Sequence, residues 1–197
     1  VPADPIYVVT DIEADGMVVG ENSMLAFASV AIGADAAEHG SFEAVLQPLP
    51  DRAPSADTMA WFATIPAAWA AATHDPQPPA QVMQRFVDWV RGLPGAPIFA
   101  AHPVAFDGGW IGHYLHRFTD DRLIQHPNRP DRLFHETLCI RSLAAGRLRW
   151  PVTRCNYDSY PADWLGNHAH THRAIDDARG YACLLARLLA PGPMAPR

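Results

Sequence analysis

The sequence predicts a mixed α/β fold: a five-stranded sheet in which a three-strand antiparallel meander leads into parallel strands, flanked by helices. Three observations predict it. Up to Leu46 the chain holds three apolar stretches with no helical period between them. Segments of helical period follow, and one short apolar strand, Ile98 to Ala101, is set among them.

Taken in order, Ile6 to Glu13 (IYVVTDIE) is rich in β-branched and aromatic residues and apolar on both alternating faces until the acids begin, as in an interior strand. Met24 to Ile32 follows a turn containing Gly20 and Asn22, and Phe42 to Leu46 ends before Pro48. With no helix between them, these three form a meander. Ser55 or Asp57 caps a helix carrying Trp61 and Phe62, and Pro66 suits the first turn of another. Val82, Phe86, Trp89 and Val90 keep helical spacing from Pro79 to Arg91, with Gly92 placed to end that helix. The strand over 98–101 precedes HPVAFDGGW and a helix containing Ile111 and Leu115. Leu123 to Leu165 has the weakest pattern, with a short strand near Leu138 and a helix near Leu143. Arg173 to Leu189 is an amphipathic helix that Pro191 ends. No G-x-G-x-x-G follows the first strand, which argues against a dinucleotide-binding sheet.

The 197 residues fit one domain over 1–197, with a flexible tail from about residue 191. No apolar run approaches the roughly 20 residues of a membrane span, and the N-terminus lacks the layout of a signal peptide, so no membrane partner and a cytoplasmic location are expected. Cys139, Cys155 and Cys183 suggest neither a disulfide framework nor a zinc knuckle. The net charge of −6 argues against a protein that coats nucleic acid through phosphate contacts. It is compatible with an enzyme that grips one chain end and draws positive charge from bound metal ions.

Acidic residues carry the functional signal. Asp11 and Glu13 stand two apart at a strand end, so both side chains leave one face of the sheet. Asp107 follows another strand at the start of a helix, where a carboxylate also suits the helix dipole. In the last helix, Ala174, Ile175, Ala178, Ala182, Leu185 and Leu189 form the buried stripe. At about 100° per residue Asp177 flanks that stripe, whereas Asp176 points away from it. His172 lies five residues before Asp177, and both serve one site if His172 is on the incoming loop.

Together the segments TDIEADG, HPVAFDGGW and HRAIDDA resemble, in order, the three motifs of the DEDDh 3′→5′ exonucleases: D-x-E on the first strand, a later Asp, and H-x(4)-D near the C-terminus. The resemblance implies a ribonuclease-H-like fold, and His172 in place of a Tyr selects DEDDh over DEDDy. It implies that Asp11 bridges two divalent cations, Mg²⁺ or Mn²⁺, that Glu13 and Asp177 complete one site, and that Asp107 supports the second. His172 would be the general base. Four clustered carboxylates would repel one another without metal, so some should have raised pKa values. The implied partner is the 3′ end of RNA or DNA, cut to nucleoside 5′-monophosphates, and a homodimer is possible. Gly16 and Met24 resemble the family's cradle for the terminal nucleotide, with Met24 against a base face. One departure is Pro103, which stands after His102 where many members have Asn. The stretch ENSMLAFASVA and the segment TMAWFA resemble a subgroup of small bacterial exoribonucleases acting on RNA 3′ overhangs, which favours RNA slightly over DNA.

Trp61 and Phe62 have the chemistry to stack on a base, but apolar residues at helical spacing are read as core. Two rival functions use the same chain. His168, His170 and His172 form an H-x-H-x-H array that in an extended segment would face one side and suit a zinc hydrolase, though it leaves Asp11, Glu13 and Asp107 without a purpose. A catalytically silent module of the same fold would bind nucleic acid or protein, but such modules usually lose a ligand and none is missing.

Overall fold

The computed structural model describes residues 4–192. The tail expected from about 191 therefore falls, beyond Gly192, outside the described residues. Five strands form one sheet: β1 (Pro5–Ala14), β2 (Met24–Gly33), β3 (Glu38–Val45), β4 (Ala96–Ala101) and β5 (Glu136–Cys139), in the order β3-β2-β1-β4-β5. Strands β1, β2 and β3 pair antiparallel, whereas β4 runs parallel to both β1 and β5. This is the expected meander followed by parallel strands. All ten residues of β2 are buried, because the sheet is covered on both faces there. Edge strand β3 begins at Glu38, ahead of the Phe42 start read from the sequence; its first half is polar and exposed, so hydrophobic pattern does not reveal it.

The helices are α1 (Ala56–Thr64), α2 (Pro66–Thr73), α3 (Pro79–Arg91), α4 (Val104–Phe118), α5 (Ile140–Leu148) and α6 (Ala174–Leu189). Proline opens α2 and α3, where its missing N–H removes no helical bond. Ser55 stands at the N-cap of α1 without a side-chain capping bond. Three short 3₁₀ turns occupy much of 152–165, the stretch of weakest sequence pattern. Helices α3 and α4 close one face over Val8, Ile12, Phe27, Phe86, Phe99 and Trp110. Helices α5 and α6 close the other over Val9, Val30, Ala100 and Tyr181. On the face of Val8, Ile12 and Phe27, β1 and β2 also carry a buried polar pair, the hydroxyls of Thr10 and Ser29, 2.7 Å apart. Cys139, Cys155 and Cys183 are free. Among the described residues no helix is long and apolar enough to cross a membrane.

Candidate active site

The site lies at the carboxyl ends of β1 and β4, the two parallel central strands, where an α/β sheet opens a crevice. On β1, Asp11 pairs with Ala28 of β2 and Glu13 with Ala26, so both acids stand on one face beside methyl side chains that leave room for them. The chain from β4 turns into α4 and delivers Asp107 in its first turn. Its Oδ1 accepts a 3.3 Å hydrogen bond from the backbone N–H of Ile12, between the two strand acids. The first turn of α6 delivers Asp177, whose Oδ1 accepts a 3.2 Å bond from the N–H of Thr171. Ligand oxygens of Asp11, Glu13 and Asp177 lie within 4.8 Å of one another. The helical stripe separates the two neighbours: Asp177 is buried, and Asp176 turns aside to accept a 2.9 Å bond from the Thr171 hydroxyl. One detail of the stripe differs, since Leu188 rather than Leu189 is its buried end.

Burial makes this cluster electrostatically expensive. The carboxyls of Asp11 and Glu13 are both held well above the usual range, first by desolvation and then by the neighbouring acids: Asp107, Glu13 and Asp177 act on Asp11, and Asp177 and Asp107 on Glu13. Desolvation pushes Asp107 up to about 7 against backbone hydrogen bonds that lower it. Asp177 rises to about 7 for the same leading reason. Oxygen donors this close, buried and mutually repelling, fit a hard divalent cation, which would supply the missing countercharge.

His172 reaches the cluster from the loop before α6, as the spacing predicts. A positive φ of 54° turns its backbone, and its ring lies edge-on to Trp61 with centroids 5.0 Å apart. Burial lowers its pKa, with Asp158 opposing, which leaves the ring neutral and able to accept a proton near pH 7. The histidine array does not assemble as read. His170 and His172 form a potential ligand group with Asp177, and His170 Nε2 is 3.6 Å from Asp177 Oδ2. His168 instead lines a groove with Trp164 and Cys183. Positive φ at Asn167 and His172 bends the segment, so the alternation of an extended strand does not apply and the three-histidine zinc reading loses its geometry. His170, stacked on Tyr157 with centroids 4.4 Å apart, is a neighbour of the carboxylates that the motif did not single out. His102 is buried on Tyr181, bonds the Tyr160 hydroxyl through Nε2 at 2.9 Å, and is pushed down to about 4 by burial and Arg141.

Beside Glu13 opens a cleft of about 370 Å³ lined by Ile12, Gly16, Met17, Trp61 and Phe106 among others. Gly16 lines this cleft, and a Cβ there would overlap the Asn22 side chain that anchors the β1–β2 turn. Met24 does not: it is fully buried among core residues, and its backbone N–H donates to the Tyr114 hydroxyl at 2.8 Å. A strand start buried on both faces cannot present a side chain to a ligand, and the methionine that lines the cleft is Met17, 70% exposed in the turn. Trp61 and Phe62, read together as core, divide. Phe62 is buried against Ala68 and Ala72, whereas Trp61 stays 41% exposed and walls the cleft. Phe106, one residue before Asp107, is the other aromatic wall, visible in the sequence only as part of the second motif.

No family model matches this sequence, and no curated protein does. Solved structures do match its fold. The nuclease domain of 3′hExo, a DEDDh family member bound to rAMP, aligns with a TM-score of 0.64 at 12% identity over 94% of this chain and 92% of that one. A 3′-exonuclease structure showing 3′-end recognition of a histone mRNA stem-loop gives 0.66 at 13% identity, over 96% and 83%. Exonuclease I from Methylocaldum szegediense gives 0.62 at 17% identity, and there the match spans 96% of this chain but 42% of the other. With its acids at the carboxyl ends of a β3-β2-β1-β4-β5 sheet, the chain has the ribonuclease-H-like fold of the DEDDh 3′→5′ exonucleases.

Proposed function

We propose that this chain, acting as one domain, is a divalent-cation-dependent 3′→5′ exonuclease that releases nucleoside 5′-monophosphates from nucleic-acid 3′ ends. One observation carries the reading: Asp11 and Glu13 of β1 and Asp177 of α6 converge within ligand distance, and with Asp107 of α4 close enough to act on both strand acids the four repel one another. Structural acids are usually paired or exposed, so convergence of this kind supports a cation site. The fold match to 3′-exonucleases, one with rAMP bound and one described with an mRNA stem-loop, supports the substrate class.

In this reading Asp11, Glu13, Asp107 and Asp177 hold Mg²⁺ or Mn²⁺. Bound cations supply neutralisation of the phosphate charge and a more acidic water. His172 takes the proton of the attacking water on a ring nitrogen. Gly16 lets the backbone come close to the terminal nucleotide, and Trp61 and Phe106 wall its base. RNA is favoured over DNA, in the manner of the small bacterial exoribonucleases that TMAWFA resembles. End-labelled RNA and DNA oligonucleotides, incubated with Mg²⁺ or Mn²⁺ and with chelator, test this directly. The expected result is metal-dependent shortening from the 3′ end, faster on RNA. No cleavage of either polymer would overturn the proposal, and equal rates would overturn the RNA preference alone.

A further inference from the structure

Glu43 lies outside the three motifs, yet the sheet register brings it into line with the site. Asp11 pairs with Ala28, and Ala28 pairs with Glu43, so the three form one row across β1, β2 and β3. Residues directly opposite in antiparallel strands project from the same face, so Glu43 stands on the face of Asp11, two strands and roughly 10 Å away. There it receives Arg173: Nε donates to Oε1 at 3.2 Å, and one terminal nitrogen donates to Oε1 at 3.0 Å and to Oε2 at 3.3 Å. Arg173 immediately follows His172.

We infer that the Glu43–Arg173 ion pair is a positioning device that clamps the 166–173 loop across the sheet and sets His172 over the carboxylates. The inference rests on the exonuclease reading above and adds two residues to it. His172 needs such a clamp. Its φ of 54° lies in the left-handed region, which disfavours any residue with a Cβ, so the surroundings must hold it there. On the helix side the loop is tied by the Thr171 bonds to Asp176 and Asp177. On the sheet side Arg173 reaches across to β3. Fork geometry fixes direction as well as distance, which suits a positioning role. Fold stability does not account for the pair, because side chains 50% and 43% exposed gain little from pairing.

The competing role for Arg173 is direct contact with a substrate phosphate, in the cleft of about 800 Å³ that it lines with Glu43, His74 and Arg85. Single-turnover cleavage of a 3′-hydroxyl oligonucleotide by the full chain separates the two, using Glu43→Gln, Arg173→Gln, their double variant and the exchange Glu43→Arg/Arg173→Glu. A clamp predicts that each single variant slows the chemical step roughly tenfold with substrate affinity and Mn²⁺ binding retained. The double variant should be no slower than either single, and the exchange should recover most of the rate. A silent Glu43→Gln, multiplying effects, or a loss confined to substrate affinity in Arg173→Gln would overturn the clamp. Amide hydrogen exchange over residues 170–173 reads the same variants without needing activity. Faster exchange in Glu43→Gln is expected, and unchanged exchange would also overturn the clamp. A wild type that cleaves nothing while its loop exchange responds would sink the exonuclease reading and leave the clamp standing.

Discussion

Helix α4 carries a buried aspartate at each end, and the protein treats the two in opposite ways. Beyond its last turn Asp121, 5% exposed, accepts two bonds of 3.1 Å from Arg91. In its first turn Asp107, 3% exposed, has no ion-pair partner among the described residues and shares its surroundings with three other acids. The helix dipole favours the negative charge of Asp107, but by an amount too small to offset desolvation that moves its pKa to about 7. A buried charge left uncompensated is among the larger destabilising features a fold can contain. One end of α4 is thus a structural ion pair complete within the chain. The other end has no such countercharge among the described residues, which is what the proposed cation site requires.

Substitution at the two ends of α4 should differ most in activity. Asp11→Asn removes a ligand charge with little change of shape, and we expect turnover to fall by roughly 10⁴-fold or more, the equivalent of several kcal/mol at the transition state. Asp121→Asn should leave the rate within about twofold while lowering stability by about 1 kcal/mol, since Arg91 is half exposed. Oligonucleotide cleavage and thermal melting on the same preparations check both. A comparable loss of rate in the two variants would erase the distinction between the ends of the helix.

Next in size is His172→Ala, for which a fall in single-turnover rate of roughly 10²–10⁴-fold is expected with Mn²⁺ binding retained. At saturating Mn²⁺, with chemistry limiting the rate, the acidic limb of the wild-type pH–rate profile should disappear or shift in that variant, because an imidazole must be neutral to accept a proton and burial holds this one below its ordinary value. His170 lies 3.6 Å from Asp177, so His170→Ala is the informative control. A larger loss there would transfer the base role to His170. Smaller again, Trp61→Ala should raise KM about tenfold with little change in the chemical step, as expected for the loss of one base-stacking face. A fall in the chemical step instead would mean that Trp61 acts through the His172 ring it touches rather than through substrate.

Much of this was legible in the sequence, and the exceptions have physical causes. Strands β1 and β4, the proline-opened helices and α6 follow from runs and periods long enough to declare themselves. Asp177 could be told from Asp176 because sixteen residues of helix define a buried stripe. Met24 could not be told from Met17, because β2 is buried on both faces and carries no alternation to show which residues meet the cleft. Trp61 and Phe62 are adjacent in a nine-residue helix that leans one toward the core and the other outward, a tilt set by packing against Ala68 and Ala72. That His168, His170 and His172 do not share one side could not be read, because the left-handed residues just before and at the end of that stretch, Asn167 and His172, have no sequence signal, and the short 3₁₀ turns before it have no period. Glu43 was silent altogether: its place in the row with Asp11 depends on register across two strand pairs.

Melting temperature against pH, with and without Mn²⁺, distinguishes a cation site at the Asp107 end of α4 from the ion pair at the Asp121 end. Groups with a raised folded-state pKa stabilise the fold fully below their unfolded value near 4 and cease to do so as pH rises through their folded value, about 7 for Asp107 and Asp177. Metal-free wild type should therefore lose roughly 5 °C between pH 5 and pH 8, and Asp107→Asn less. At pH 8, Mn²⁺ should restore wild type and Asp121→Asn alike, and act far more weakly on Asp107→Asn. A wild-type melting temperature indifferent to pH in this window, with Mn²⁺ shifting all three proteins equally, would contradict the account.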